Sequence, residues 1–217
     1  MSSQLQTDPH ADQPLAVAGI PLRQSRRAVV MVHGRNAAPP NILDLVPRLD
    51  RPMFSYVAPA AANKTWYPFS FLEPIARNEP YLTSAINRLE RTVGNLTAAG
   101  IPPERIVLLG FSQGACLAAE FAYRHPQPFG GIVLFSGGLI GPPGTTWQPS
   151  TQPFKRTRVF FGCSDVDAHV PKWRVDESAE VFSRMDADVT KRIYAGMGHL
   201  VNDDEIGAAQ SVLDRVE

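Results

Sequence analysis

The sequence predicts an α/β fold, a mostly parallel sheet with helices on both faces, and three features carry that prediction. Continuous apolar runs of strand length, at residues 28–32, 106–109 and 131–136, read as strands covered on both sides. Segments between them place apolar residues at helical spacing. The two kinds of segment alternate along the chain, which is the order that builds a parallel sheet with its sites at the carboxyl ends of the strands.

In order, residues 15–22 form a short apolar patch broken by Gly19 and Pro21, suited to an edge strand or hairpin arm. The strand at 28–32 ends in His33-Gly34-Arg35-Asn36, and a further short strand at 54–57 stops at Ala58-Pro59. Residues 59–77 make a long connection rich in aromatics: Trp66, Tyr67, Phe69 and Phe71. Connections of that length are functional or disordered, and so many aromatic groups argue against disorder. Pro80 fits a first helical turn, and Leu82, Ile86, Leu89, Val93 and Leu96 then repeat until Gly100. After the strand at 106–109 comes a helix ending near His125-Pro126, then the strand at 131–136 and a Gly-, Pro- and Thr-rich loop to about 153. A strand at 158–162 leads to a helix opened by Pro171, with Val175, Ala179 and Phe182 on its inner face. A more polar strand at 189–194 precedes a closing helix of Ile206, Ala209, Leu213 and Val216, for which Asn202, Asp203 and Asp204 are candidate caps.

A chain of 217 residues suffices for one domain with a substantial core, expected over residues 14–217 behind a flexible polar segment at 1–13. Lys+Arg and Asp+Glu both number 21, leaving no net field to attract nucleic acid or anionic lipid. No run of about 18 apolar residues exists, so stable membrane insertion is not expected. Residues 1–10 lack the apolar core of a secretory signal. The two cysteines, Cys116 and Cys163, read as small buried thiols, not a disulfide framework. A reduced, cytoplasmic setting follows by default. The oligomeric state is left open, a homodimer included.

The chemistry centres on Gly110-Phe111-Ser112-Gln113-Gly114, a G-x-S-x-G pattern between an apolar strand and a helix-forming run. In that context the serine sits on a sharp turn that exposes its hydroxyl, and the small glycines let strand and helix pass closely. A serine hydroxyl needs a base within hydrogen-bond reach, and in such elbow enzymes the chain order is Ser, acid, His. Of the histidines after Ser112, His125 lies at the far end of the elbow helix. His169 falls in the loop expected to hold the acid, and His199 follows the last strand. His199 is therefore the candidate base and Asp167 the candidate acid, favoured over the loop aspartate Asp165. The backbone N–H groups of Gln113 and Arg35 are the candidate oxyanion donors. His33 is read as shaping its loop. Residues 66–72, named through Trp66, Tyr67, Phe69, Phe71 and Leu72, are either an apolar substrate wall, with Met197 beside the base, or plain core. No HExxH pattern or cysteine cluster is present, so no metal and no organic cofactor are expected.

Val32-His33-Gly34, Trp66-Tyr67-Pro68, the Ser112 elbow, Asp167 four residues before Pro171, and Gly198-His199 together resemble the phospholipase/carboxylesterase branch of the α/β-hydrolase superfamily. That group includes bacterial carboxylesterases and acyl-protein thioesterases. The resemblance covers nearly the whole chain from Leu15. It implies a compact α/β-hydrolase fold and gives Ser112, Asp167 and His199 the triad roles. Arg35-Asn36 departs from the small or acidic group that the family often has after its His-Gly pair. With no insert long enough for a large lid, a carboxylesterase acting on small-molecule esters of short to medium chain is expected. A thioesterase or lysophospholipase using the same triad is the alternative, and a non-catalytic binding protein on this fold the remote one. A dienelactone hydrolase is disfavoured because position 112 is serine where that chemistry usually has cysteine.

Overall fold

A computed structural model describes residues 8–151 and 154–216. Its centre is one seven-stranded sheet in the order β1-β3-β2-β4-β5-β6-β7. The strands are β1 (Leu15–Gly19), β2 (Ala28–Val32), β3 (Ser55–Pro59), β4 (Ile106–Phe111), β5 (Gly131–Phe135), β6 (Arg158–Ser164) and β7 (Asp188–Tyr194). Only the edge strand β1 runs antiparallel, against β3; every other pair is parallel.

Side-chain alternation splits the apolar runs between two cores. Ala28, Val30 and Val32 of β2 and Ile106 and Leu108 of β4 face one side, where α3 (Tyr81–Ala98), α4 (Gln113–Arg124) and α5 (Lys172–Arg184) pack. Val29, Met31, Val107 and Leu109 face the other, beneath α1 (Pro39–Leu43), α2 (Val46–Leu49) and α6 (Asp203–Leu213). A run that must be apolar on both faces cannot alternate with polar residues, which is why these strands read as continuous blocks. The one-turn helices α1 and α2 were not foreseen, since four or five residues with Pro39, Pro40 and Pro47 show no periodicity.

The loose stretch expected to reach residue 13 needs correction from Asp8 onward; residues 1–7 lie outside the described residues. Asp8 pairs with Arg91 of α3 at 2.8 Å, and Arg88 donates to the Gln13 carbonyl at 2.6 Å. His10 is fully buried. Its Nε2–H donates to the Trp66 carbonyl at 3.0 Å, while Nδ1 accepts from the Ala62 amide at 2.9 Å. Polar composition suggested solvent, but Asp8, His10 and the Gln13 carbonyl are each tied to residues far along the chain.

Candidate active site

The parallel register sets the ends of β2, β4, β6 and β7 along one edge of the sheet, with Val32 opposite Gly110 and Ser164 opposite Tyr194. Ser112 leaves β4 in a left-handed conformation (φ 56°, ψ −124°) and caps α4. Such backbone costs on the order of 1–3 kcal/mol and persists only where the surroundings impose it. Two glycines do so. A Cβ on Gly114 would overlap the Val32 carbonyl oxygen, and one on Gly110 would lie 2.5 Å from the Gly114 oxygen.

Ser112 Oγ donates to His199 Nε2 at 2.9 Å, and His199 Nδ1–H donates to Asp167 Oδ2 at 2.7 Å. Those roles follow because an ionised carboxylate only accepts. The Asp167 side chain is fully buried, and its Oδ1 accepts the amides of His169 (2.8 Å) and Val170 (3.0 Å). Burial pushes this carboxyl up, but the His199 and amide hydrogen bonds outweigh it and hold it below the usual range. Asp165 instead accepts the Gly196 amide at 2.8 Å and stays in its loop. His125 stacks on Phe121 at the other end of α4. His169 meets the His199 ring edge-on at 4.7 Å and lines the cavity in front of Ser112.

The amides of Gln113 and Arg35 have no backbone acceptor among the described residues. Gln113 sits in the first turn of α4, where unpaired N–H groups and the helix dipole favour negative charge. Its side chain does something not anticipated from the motif. Nε2 donates to the Tyr67 carbonyl (2.8 Å) and Oε1 accepts the Trp66 amide (2.9 Å), tying the aromatic connection to the elbow. The buried His33 ring donates from Nδ1 to the Gly34 carbonyl (2.8 Å) and accepts the Ala61 amide at Nε2 (3.2 Å). Burial lowers its pKa, so it stays neutral and shapes its loop.

A cavity of about 720 Å³ opens onto Ser112. Of the stretch read as either substrate wall or core, Tyr67, Phe69 and Phe71 line it, together with Ile42, Phe111 and Val170, which were not foreseen. Trp66, Leu72 and Met197 are not in its wall, which corrects the expected pocket. Trp66 is fully buried, its indole N–H donating to the His33 carbonyl at 2.8 Å. Leu72 packs against the core, and the Met197 sulfur accepts from Asn202 Nδ2 at 2.8 Å. Apolar composition alone does not separate a core face from a cavity face. Burial pushes the Cys116 and Cys163 thiols up to about 12, so neither competes as a nucleophile. Among the described residues no group of three His, Cys, Asp or Glu is placed to hold a metal ion. No described helix is long and apolar enough to cross a membrane.

Behind the site, Glu205 is fully buried in α6. Its Oε2 accepts the Asn202 amide at 2.9 Å in a capping box, and its Oε1 lies against Gly162 with no partner among the described residues. Burial, with Asp204 and Asp167 nearby, pushes this carboxyl from 4.5 up to about 7. The folded chain therefore holds the proton more tightly than the unfolded chain. The stabilisation tied to that proton is complete below pH 4.5 and is lost as pH rises through about 7. Glu205→Gln keeps an acceptor for Asn202 and cannot ionise. Its stability relative to the parent is expected to be greater at pH 8 than at pH 5 by roughly 2–3 kcal/mol. Urea melts of both proteins at the two pH values measure it, and a pH-independent difference would contradict it.

The family model for phospholipase/carboxylesterase matches residues 21–217. A solved phospholipase/carboxylesterase from Dyadobacter fermentans is 37% identical with a TM-score of 0.88, covering 93% of this chain and 96% of that one. Acyl-protein thioesterase 1 of Saccharomyces cerevisiae is 33% identical over 126 residues, 57% of this chain and 55% of the yeast protein. A SOBER1-like probable carboxylesterase of Arabidopsis thaliana is 27% identical over 70% of this chain and 59% of its own length. The chain thus spans a little over half the length of these two curated relatives. With the α/β-hydrolase architecture, the Ser112 elbow and a match over nearly the whole chain, this protein belongs to the phospholipase/carboxylesterase family.

Proposed function

We propose that this chain is a serine carboxylesterase acting on short to medium acyl esters, with Ser112 as nucleophile, His199 as base and Asp167 as the orienting acid. The observation that carries this reading is the unbroken line from Asp167 through His199 to Ser112, at 2.7 and 2.9 Å, at the floor of an open cavity. Ser112 Oγ attacks the ester carbonyl carbon as its proton passes to His199 Nε2. The carbonyl oxygen becomes an oxyanion held by the N–H groups of Gln113 and Arg35, each such donor lowering the barrier by about 2.7–4 kcal/mol. Asp167 fixes the Nδ1–H tautomer and steadies the imidazolium without taking its proton. The C–O bond then breaks, and the alcohol leaves with the proton from Nε2. Water, deprotonated by His199, attacks the acyl-enzyme and releases the acid and Ser112. The cavity size falls in the range of small-molecule sites.

The acyl-protein thioesterase relatives favour a second reading, in which the same groups cleave a thioester. Parallel turnover of p-nitrophenyl butyrate and of butyryl and palmitoyl thioesters separates the two. A fluorophosphonate adduct is expected on Ser112. An adduct elsewhere, or no turnover of any substrate in the panel, sinks the proposal.

A further inference from the structure

Among the described residues lining the cavity, Arg35 is the one fixed charge, and no carboxylate joins it. The guanidinium is held by neutral acceptors. Nη1 donates to the Pro68 carbonyl (2.8 Å) and to Thr65 Oγ1 (3.2 Å), and Nη2 donates to the Phe69 carbonyl (2.7 Å). Those bonds use both hydrogens of Nη1 and one of Nη2. The Nε–H has no acceptor among the described residues, Nη2 has one hydrogen beyond its bond to Phe69, and Nε and Nη2 form the lateral edge of the planar fork. That edge matches the two oxygens of a carboxylate.

The same residue offers its amide toward the developing oxyanion, so its side chain is tethered within one arginine length of the reacting carbonyl. The carboxylate of Asp167 does not neutralise it, being buried with both oxygens already bound by His199, His169 and Val170. A preset cation without a counter-charge, at the mouth of a cavity otherwise lined by apolar, amide, hydroxyl and imidazole groups, is poised for an anionic ligand.

We propose that the Arg35 guanidinium selects esters that carry a second, non-reacting carboxylate, which it grips through Nε–H and Nη2–H while the ester carbonyl lies at Ser112. This deepens the serine esterase reading and rests on it. The carboxylate sits on the acyl or the alcohol side of the ester, and the two sides are told apart by two substrate pairs. One pair is monoethyl adipate against ethyl adipamate. The other is 3-acetoxybenzoate against 3-acetoxybenzamide. In each pair the shape is kept while an anionic carboxylate is exchanged for a neutral carboxamide.

For at least one pair the acid is expected to exceed the amide in kcat/KM by roughly 10–100-fold, the worth of a hydrogen bond to a charged group. Arg35→Gln should bring that ratio to about one, Arg35→Lys should keep part of it, and added salt should shrink it in the parent. A role confined to bracing the 65–69 connection would instead lower both members of a pair equally. That result, or a parent ratio of about one for both pairs, overturns the proposal. Turnover of the amides without preference removes the Arg35 assignment and leaves the esterase intact. No turnover and no fluorophosphonate adduct removes the esterase. Adipate itself then decides the anion site, raising Tm in the parent but not in Arg35→Gln if the grip exists, and in neither if it does not.

Discussion

Ser112→Ala is expected to lower kcat on p-nitrophenyl butyrate by roughly 10⁴–10⁶-fold, since no other group in the cavity can supply the covalent step. Both cysteines are buried thiols held protonated, burial likewise keeps the Tyr67 phenol protonated, and the other hydroxyl in the lining, Ser70, lies on the aromatic connection with no base among its hydrogen-bond partners. His199→Ala should cost a similar factor, and the double variant no more than either single one, because a nucleophile without its base and a base without its nucleophile are equally idle. Asp167→Asn should cost about 10⁴-fold, as an amide at 2.7 Å from Nδ1 favours the wrong tautomer. Asp165→Asn should stay within a few-fold, since asparagine still accepts the Gly196 amide. Steady-state kinetics on the four single variants and the double measure this pattern. Residual activity of Ser112→Ala within tenfold of the parent, or a larger loss at Asp165 than at Asp167, would be incompatible with it.

The parts of this molecule legible in its sequence are those set by local rules. Residues 28–32 and 106–109 could be read as central strands because burial on both faces leaves no polar alternation. The approach of His199 and Asp167 to Ser112 follows from chain order, since parallel strands put every β-to-α loop at one edge of the sheet. What escaped the reading depends on pairings far apart in the chain. Trp66 and Tyr67 are neighbours of similar character, yet the Trp66 indole turns inward to the His33 carbonyl while Tyr67 faces the cavity. The Gln113 side chain looks like a motif filler until its bonds to residues 66 and 67 are seen. Likewise His10 sits in a polar stretch, and only the meeting of α3 with the aromatic connection gives its two nitrogens their partners. Ile42, on a helix too short for periodicity, reaches the cavity for the same reason.

Gly114→Ala is expected to damage both stability and catalysis. An added Cβ would overlap the Val32 carbonyl oxygen and lie 2.5 Å from that of His33. Both are backbone atoms at the end of β2, so no rotamer change relieves the clash and α4 must move away from the strand. Overpacking of that kind costs about 1–3 kcal/mol. The displacement also separates the loop that carries the Arg35 amide from the helix turn that carries the Gln113 amide. Misplacement by about 1 Å is enough for roughly a 10²-fold loss in rate, so kcat/KM should fall more steeply than the urea midpoint alone would suggest. Gly94→Ala is the matched control. It lies inside α3, where an added Cβ meets nothing within 4 Å. Helix propensity then favours alanine by about 0.5–1 kcal/mol, with activity unchanged. If Gly114→Ala melts and turns over like the parent, α4 and β2 are not pressed together as described, and the strained turn at Ser112 must be held by something other than the close pass at Gly110 and Gly114.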